Sequence, residues 1–196
     1  RPCEESCPTK AISVRENRIA SIKEEDCTNC GKCIVNCPFG AVVETSQIVD
    51  LARDLKSPQN PIYGIIAPAF VGQFGRKVAP GQVKSALLKL GFKDVVEAAV
   101  GADLTVELEV SELKERLEQG EKFMTSSCCP AYTMAVEKKK PELYQYISTT
   151  QSPMVQTAKL IKERIPEAKV TFIGPCIAKK EEGQRPESQV DYVITF

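Results

Sequence analysis

From residue 45 onward, apolar positions alternate between short runs and helical stripes. Thr45 or Ser46 is placed to cap a helix through Leu55, with Ile48, Leu51, Ala52 and Leu55 on one face. Ser57-Pro58-Gln59-Asn60-Pro61 reads as a linker. Residues 62–67 form a short buried run, the pattern of an interior strand. A helix is predicted over 80–90, with Val83, Leu87 and Leu90 inward and Gly91 as its stop. A strand follows at 94–99, then a helix over 103–119 that ends at Gly120. A short strand at 122–125 precedes helices at 130–140 and 153–165, stopped by Pro141 and Pro166. Strands at 169–173 and 190–195 complete the pattern. Strands alternating with helices predict an α/β lobe with a mostly parallel sheet.

Composition narrows the chemistry. The 196 residues hold 26 basic and 26 acidic side chains, for a net charge of zero. That balance argues against nucleic acid as a partner, which calls for a basic excess or stripe. The chain is 42% hydrophobic and 27% charged, as in a folded globular protein. No apolar run approaches the length of a membrane span, so no membrane insertion is expected. Histidine is absent, which removes Ser-His-Asp triads, Cys-His pairs and His-ligated zinc or haem.

Nine cysteines stand out, and an odd number cannot form a complete disulfide framework. Six lie within the first 37 residues. Cys27-x2-Cys30-x2-Cys33-x3-Cys37-Pro38 is the bacterial iron–sulfur run, whose fourth cysteine serves the other cluster of a two-cluster module. Cys3-x3-Cys7-Pro8 repeats its second half, and Thr9-Lys10-Ala11-Ile12 matches Phe39-Gly40-Ala41-Val42. Cys7, Cys27, Cys30 and Cys33 are therefore expected to hold one 4Fe–4S cluster. Cys3 and Cys37 would serve a second, with two ligands missing from the chain. A zinc site is the competing reading, but zinc knuckles pair two Cys-x2-Cys units across a longer loop. Residues 1–46 thus resemble a small α+β bacterial-ferredoxin-like domain with two 4Fe–4S clusters, truncated at its start. Residues 47–61 form a helix and linker, and 62–196 the α/β lobe.

The other thiols fall in loops after predicted strands. Ala67-Pro68-Ala69 follows 62–66, Ser127-Cys128-Cys129-Pro130 follows 122–125, and Gly174-Pro175-Cys176 follows 169–173. In open parallel sheets, ligands bind outside the carboxyl ends of the strands. A buried cysteine is the ordinary alternative. A Cys-Cys-Pro at a helix start instead favours thiolate, for metal binding or proton transfer.

Taken together, these residues resemble the iron-only hydrogenases and their close relatives. The resemblance covers the whole chain. It rests on the cysteine-rich module, Gly101-Ala102-Asp103-Leu104-Thr105, Thr125-Ser126-Ser127-Cys128-Cys129-Pro130, Gly174-Pro175-Cys176-Ile177-Ala178-Lys179-Lys180 and Asp191-Tyr192-Val193-Ile194-Thr195. It implies an H-cluster, a 4Fe–4S cube joined to a di-iron unit with CO, cyanide and a bridging dithiolate. By motif position Cys129 and Cys176 look like cube ligands, Cys128 like the proton-donating thiol, and Lys179 like the donor to a cyanide. Ala67, Pro68, Ala69, Met154, Gly174 and Pro175 would line the di-iron pocket.

Glu109, Glu112 and Arg116 share a helix face, and by spacing alone they read as an exposed ion-pair ladder. The resemblance instead makes Glu109, Glu112, Ser148 and Cys128 successive proton carriers, with Arg116 at the mouth. Three positions depart from the common family pattern: Gly174 stands where many members have Met, Ala69 where they have Ser, and Met154 where they have Gln.

The activity implied is reversible reduction of protons to hydrogen, with electrons relayed through the ferredoxin-type clusters. Implied partners are ferredoxin or another redox carrier, protons and hydrogen, and cluster maturation factors. The setting implied is the cytoplasm of an anaerobic prokaryote. Competing readings are a non-catalytic sensory or cluster-assembly relative, and a plain electron carrier. The chain starts at Arg1 without a signal-peptide pattern and stops on a strand-like run at Phe196. With the family's two remaining cube cysteines expected past Phe196, it reads as part of a longer protein that is inactive by itself.

Overall fold

A computed structural model describes residues 1–15, 19–56 and 59–196. Ser57 and Pro58 of the expected linker lie outside the described residues. The first module holds helices α1 (Pro2–Glu5) and α2 (Lys32–Val35), with strands β1 (Ile12–Val14) and β2 (Ala20–Ile22) paired antiparallel. The cysteine repeat is also a structural repeat. Cys7 Sγ accepts a hydrogen bond from Ala11 N at 3.2 Å, and Cys37 Sγ from Ala41 N at 3.3 Å. Lys10 and Gly40, at matching positions, share a left-handed backbone with φ of 55° and 59°.

The larger lobe is α/β, with an all-parallel sheet in the order β4-β3-β5-β6. Its strands are β3 (Ile62–Ile66), β4 (Asp94–Glu97), β5 (Lys169–Ile173) and β6 (Tyr192–Ile194). Side chains alternate across the sheet, so each strand feeds two cores. Ile65, Val170, Phe172 and Val193 pack with Met154, Val155, Ala158 and Ile161 of α7 (Pro153–Arg164). Ile62, Ile66, Val95 and Ile173 pack with α3 (Ile48–Lys56) and α4 (Pro80–Lys89) through Leu51, Leu55, Val83 and Leu87. Helices α5 (Ala99–Glu118), α6 (Pro130–Lys139) and α8 (Ala178–Gly183) complete the lobe.

Several sequence expectations are corrected. In α3 only Leu51 and Leu55 face the core, whereas Ile48 and Ala52 are exposed because this short helix meets the sheet along one ridge. Ser46 does accept from Ile48 N at its start, at 3.3 Å. Leu90 is exposed, because the chain turns away at the end of α4 into Gly91 at φ +113°. β4 ends at Glu97, and α5 starts at Ala99, four residues earlier than expected. β6 is shorter than 190–195: Val190 N bonds Ser188 Oγ, and Thr195 bonds Glu44, instead of a neighbouring strand. No strand forms at 122–125. Thr125 makes an isolated parallel bridge to Ile147, and Phe123 stacks on Tyr146 at 4.5 Å, so the segment follows the 3-10 turn Pro141–Tyr146 and leaves the sheet alone. The short helix α8 has no counterpart in the hydrophobic pattern.

The first turn of α5 makes a close crossing. Gly101 sits where α5 crosses α7, and a Cβ there would lie 2.3 Å from both the Pro153 carbonyl oxygen and Thr157 Oγ1. Both are fixed, since Thr157 is fully buried and donates to Pro153 O. Gly101→Ala is expected to lower unfolding free energy by about 3 kcal/mol in urea denaturation, the upper range for overpacking. An unchanged midpoint would show that the crossing relaxes freely.

Candidate metal centres and active site

Cys7, Cys27, Cys30 and Cys33 line one cavity of about 260 Å³, together with Ile12, Gly31, Ile34 and Ile177. These are the four thiols that the repeat groups together. Burial pushes the Cys7 thiol up, but the Ala11 amide and Thr9 hydroxyl outweigh it and leave it lowered. Cys27 Sγ accepts from Asn29 N at 3.5 Å. Burial raises Cys33. Amide donors aimed at sulfur suit anionic thiolates, and a mostly apolar wall suits a buried cluster. Among the described residues no three thiols or carboxylates stand close enough to chelate a single ion. A polynuclear cluster is larger and spreads its ligands around a cavity. The residues present therefore fit a 4Fe–4S cluster. Cys3 and Cys37 lie outside this cavity, and Cys37 is lowered chiefly by the Ala41 and Phe39 amides.

The module docks on the lobe through the elements that carry the other thiols. From the end of α6, Lys138 donates to the carbonyls of Glu24 at 2.9 Å and Cys27 at 2.6 Å, and Lys139 pairs with Asp26. Gly31 sits at φ +76°, a backbone that favours glycine, and packs against the Ile177 side chain. A second cleft is lined by Cys30, Gly31, Pro175, Cys176 and Ile177. One groove therefore joins a cysteine of the first centre to Cys176.

The remaining site residues gather around three loops. Ala67 N donates to Ile173 O at 2.9 Å, and a Cβ on Gly174 would lie 2.9 Å from the Ala67 Cβ, so the β3 and β5 ends touch. Pro68, Ala69 and Pro175 are exposed beside them, whereas Met154 is buried in the core that includes Ala67. The Cys128–Cys129 loop reaches the same end without a strand. Lys179, 8% exposed, donates to Cys128 O at 3.2 Å and pairs with Glu182 at 2.5 Å. Cys129 caps α6, its carbonyl accepting from Tyr132 N and Thr133 N. Both Cys128 and Cys129 are exposed, and Cys176 is half-buried. Two thiols and a buried lysine here are the donor types that part of an H-cluster site would use.

The acidic residues divide into two groups. Glu109 accepts from Ser126 Oγ at 2.7 Å, and Ser126 Oγ accepts from Cys128 N at 3.4 Å. Glu112 is held by Ser148 Oγ at 2.5 Å, by the Thr149 amide and hydroxyl, by Thr150 Oγ1 and by two nitrogens of Arg116. Arg116 also donates to the carbonyls of Gln145 and Ile147. The Glu112–Arg116 pair is only 16% and 14% exposed, which corrects the exposed ladder read from spacing. Spacing on α5 could not disclose the 148–150 loop that covers it. Sequence reasoning also missed Ser126 and Glu182. The polar run before Cys128 was a signal for Ser126, and the i,i+3 spacing from Lys179 was one for Glu182.

Burial pushes the Glu112 carboxyl up, but the Ser148, Thr149 and Arg116 hydrogen bonds overcome it and hold it down at about 2. A lowered carboxyl stabilises the fold fully above its unfolded value of 4.5, and the contribution fades as pH falls towards 2. Glu112→Gln is expected to lower stability at pH 7 by about 2 kcal/mol and to reduce the acid sensitivity between those limits. Urea titrations at pH 7 and pH 3 check this; an equal loss at both would refute it.

Residues 60–196 match the family model described as the iron only hydrogenase large subunit, C-terminal domain. The chain belongs to the iron-only hydrogenase family. Residues 1–48 match the LdpA Fe-S cluster-binding domain, in keeping with an iron–sulfur module ahead of the hydrogenase lobe. The chain is 34% identical to the NADP-reducing hydrogenase subunit HndD of Solidesulfovibrio fructosivorans, over 86% of this chain and 34% of that protein. It is 35% identical to the periplasmic [Fe] hydrogenase large subunit of Nitratidesulfovibrio vulgaris, over 94% of this chain and 49% of that one. It is 30% identical to the cytosolic Fe-S cluster assembly factor NAR1 of Eremothecium gossypii, over 89% and 41%. The chain thus spans about a third to a half of these curated relatives. Among the described residues no helix of this hydrogenase-family chain is long and apolar enough to cross a membrane.

Proposed function

We propose that this chain contributes the electron entry and the acid side of the active site to a protein that interconverts protons and hydrogen. The observation that carries this is the Cys128 loop. An exposed thiol sits on a backbone tied through Ser126 to the Glu109 carboxylate and pinned by Lys179 at its carbonyl. A thiol whose loop is tied to a carboxyl–hydroxyl pair is suited to passing protons between solvent and the site.

Cys7, Cys27, Cys30 and Cys33 would hold a 4Fe–4S cluster, Cys3 and Cys37 part of a second, and Cys129 and Cys176 two corners of the H-cluster cube. Bound there, these groups supply one-electron transfer and the redox chemistry of hydrogen. Everything else falls to the chain. Cys30 and Cys176 line one cleft, which supports electron passage between the two centres. Lys179, fixed by Glu182, presents a cationic donor to an anionic ligand. Glu109 and Ser126 serve Cys128, and Ala67, Pro68, Ala69, Gly174 and Pro175 shape the mouth, with Met154 behind them. Glu112, Ser148 and Arg116 complete the proposed proton route. The fitting partners are a reduced carrier such as ferredoxin, and the factors that install the clusters.

One observation favours a second reading, a non-catalytic iron–sulfur role. Glu112 is engaged by Ser148, Thr149, Thr150 and Arg116, an arrangement that also serves simply to hold the 148–150 loop on α5. The test is hydrogen evolution by the complete, cluster-loaded protein fed with a chemically reduced carrier. Turnover supports the first reading. Intact clusters with neither hydrogen evolution nor hydrogen–deuterium exchange would establish the second.

A further inference from the structure

We propose that Lys180 sets the reduction potential of the cluster held by Cys7, Cys27, Cys30 and Cys33. This rests on assigning that cavity to a 4Fe–4S cluster. In the sequence, Lys179-Lys180 looks like an ordinary solvated charge pair. In the structure both are largely withdrawn from water and they serve different sides of α8. Successive residues on a helix point about 100° apart. Lys179 reaches Cys128 O and Glu182, whereas Lys180 lines the four-thiol cavity.

Lys180 is anchored there. Its Nζ donates to Thr45 O at 2.9 Å and Val193 O at 3.1 Å, and it stands 3.6 Å from Glu44. Its side chain is 11% exposed. Glu44 lines the same cavity, with one carboxylate oxygen taking the Thr195 hydroxyl and the other buried without a partner. The other charged groups on this wall, Lys32 and Glu181, are exposed, so water screens them.

A thiolate-ligated cluster is anionic and gains negative charge when it accepts an electron from a reduced carrier. A fixed, poorly screened cation beside it favours the reduced form, and Glu44 opposes it. The pair therefore makes a local setting of potential, with the two partners acting in opposite directions. Lys180 also ties residues 44–45 to β6, so a purely mechanical role is the alternative to exclude.

The experiment is an EPR-monitored redox titration of the complete, cluster-loaded protein, following the signal that disappears in Cys27→Ala. Lys180→Met is expected to lower the reduced-to-oxidised ratio at a fixed potential about tenfold, a shift of about 59 mV downward for one electron. Lys180→Arg should restore the ratio to within about threefold, and Glu44→Gln should move the potential upward. An unmoved potential in Lys180→Met with the cluster intact overturns the proposal, as does a shift of the same sign in both variants. If Lys180→Met fails to retain its cluster, Glu44→Gln decides: an unmoved or lowered potential overturns it. A signal that survives Cys27→Ala would instead refute the cavity assignment and the proposal with it.

Discussion

Cys128→Ala, in the complete protein with its clusters installed, is expected to cut hydrogen evolution by at least about 100-fold. General acid–base groups contribute about 10² to 10⁴ in rate, and a thiol on the solvent side of the site has no neighbouring substitute. The nearest acidic group joined to its loop is Glu109, through Ser126, and it meets the Cys128 amide instead of the sulfur. Removing Sγ leaves that carboxyl one group short of the site. The fold should tolerate the change, because Cys128 is exposed and its loop is held by backbone contacts to Ser126 and Lys179. Iron content and melting temperature should stay at wild-type values, so the loss reads as chemistry. Turnover within a factor of about two of wild type, with clusters intact, would rule out the proton-donor role.

Cys27→Ala is expected to abolish the cluster of the four-thiol cavity and with it carrier-fed hydrogen evolution. Hydrogen–deuterium exchange, which needs no external electrons, should persist. The split follows from geometry. Cys27 shares its cavity with Cys7, Cys30 and Cys33, and only Cys30 also lines the cleft that contains Cys176. Loss of one of four thiolates leaves an iron without its ligand, and losing even outer contacts costs metal sites 10- to 100-fold. Cys37→Ala serves as the comparison, because Cys37 does not line this cavity and its loss should leave the signal in place. If carrier-fed turnover survives Cys27→Ala, electrons enter elsewhere.

Much was legible before any coordinates. Period-two and period-3.6 patterns located the four sheet strands and helices α3 to α7, because both faces of a parallel sheet must be covered by apolar stripes. The failures share a cause. Leu90 and the 122–125 segment are apolar enough to be read as core or strand, yet they sit where the chain leaves the sheet. The first turn of α5, which the pattern left out, packs Gly101 against α7, more than 50 residues away in the chain. Helix α8 is too short for any periodic signal.

The sequence by itself determined which thiols are candidates for cluster ligation. The doubled cysteine run grouped Cys7 with Cys27, Cys30 and Cys33, because the fourth cysteine of such a run serves the other cluster of a two-cluster module. The sequence also brought Cys129 and Cys176 to helix and strand ends. Only the tertiary structure decided the electrostatics. It buried Glu112 and Arg116 beneath the 148–150 loop and gave Glu109 a serine link to the Cys128 loop. It also turned the adjacent lysines of α8 to different sides, one to the Cys128 loop and one to the four-thiol cavity. Spacing fixes which groups are near in the chain. Which charges are withdrawn from water depends on elements that meet across it, and that decides what those charges can do.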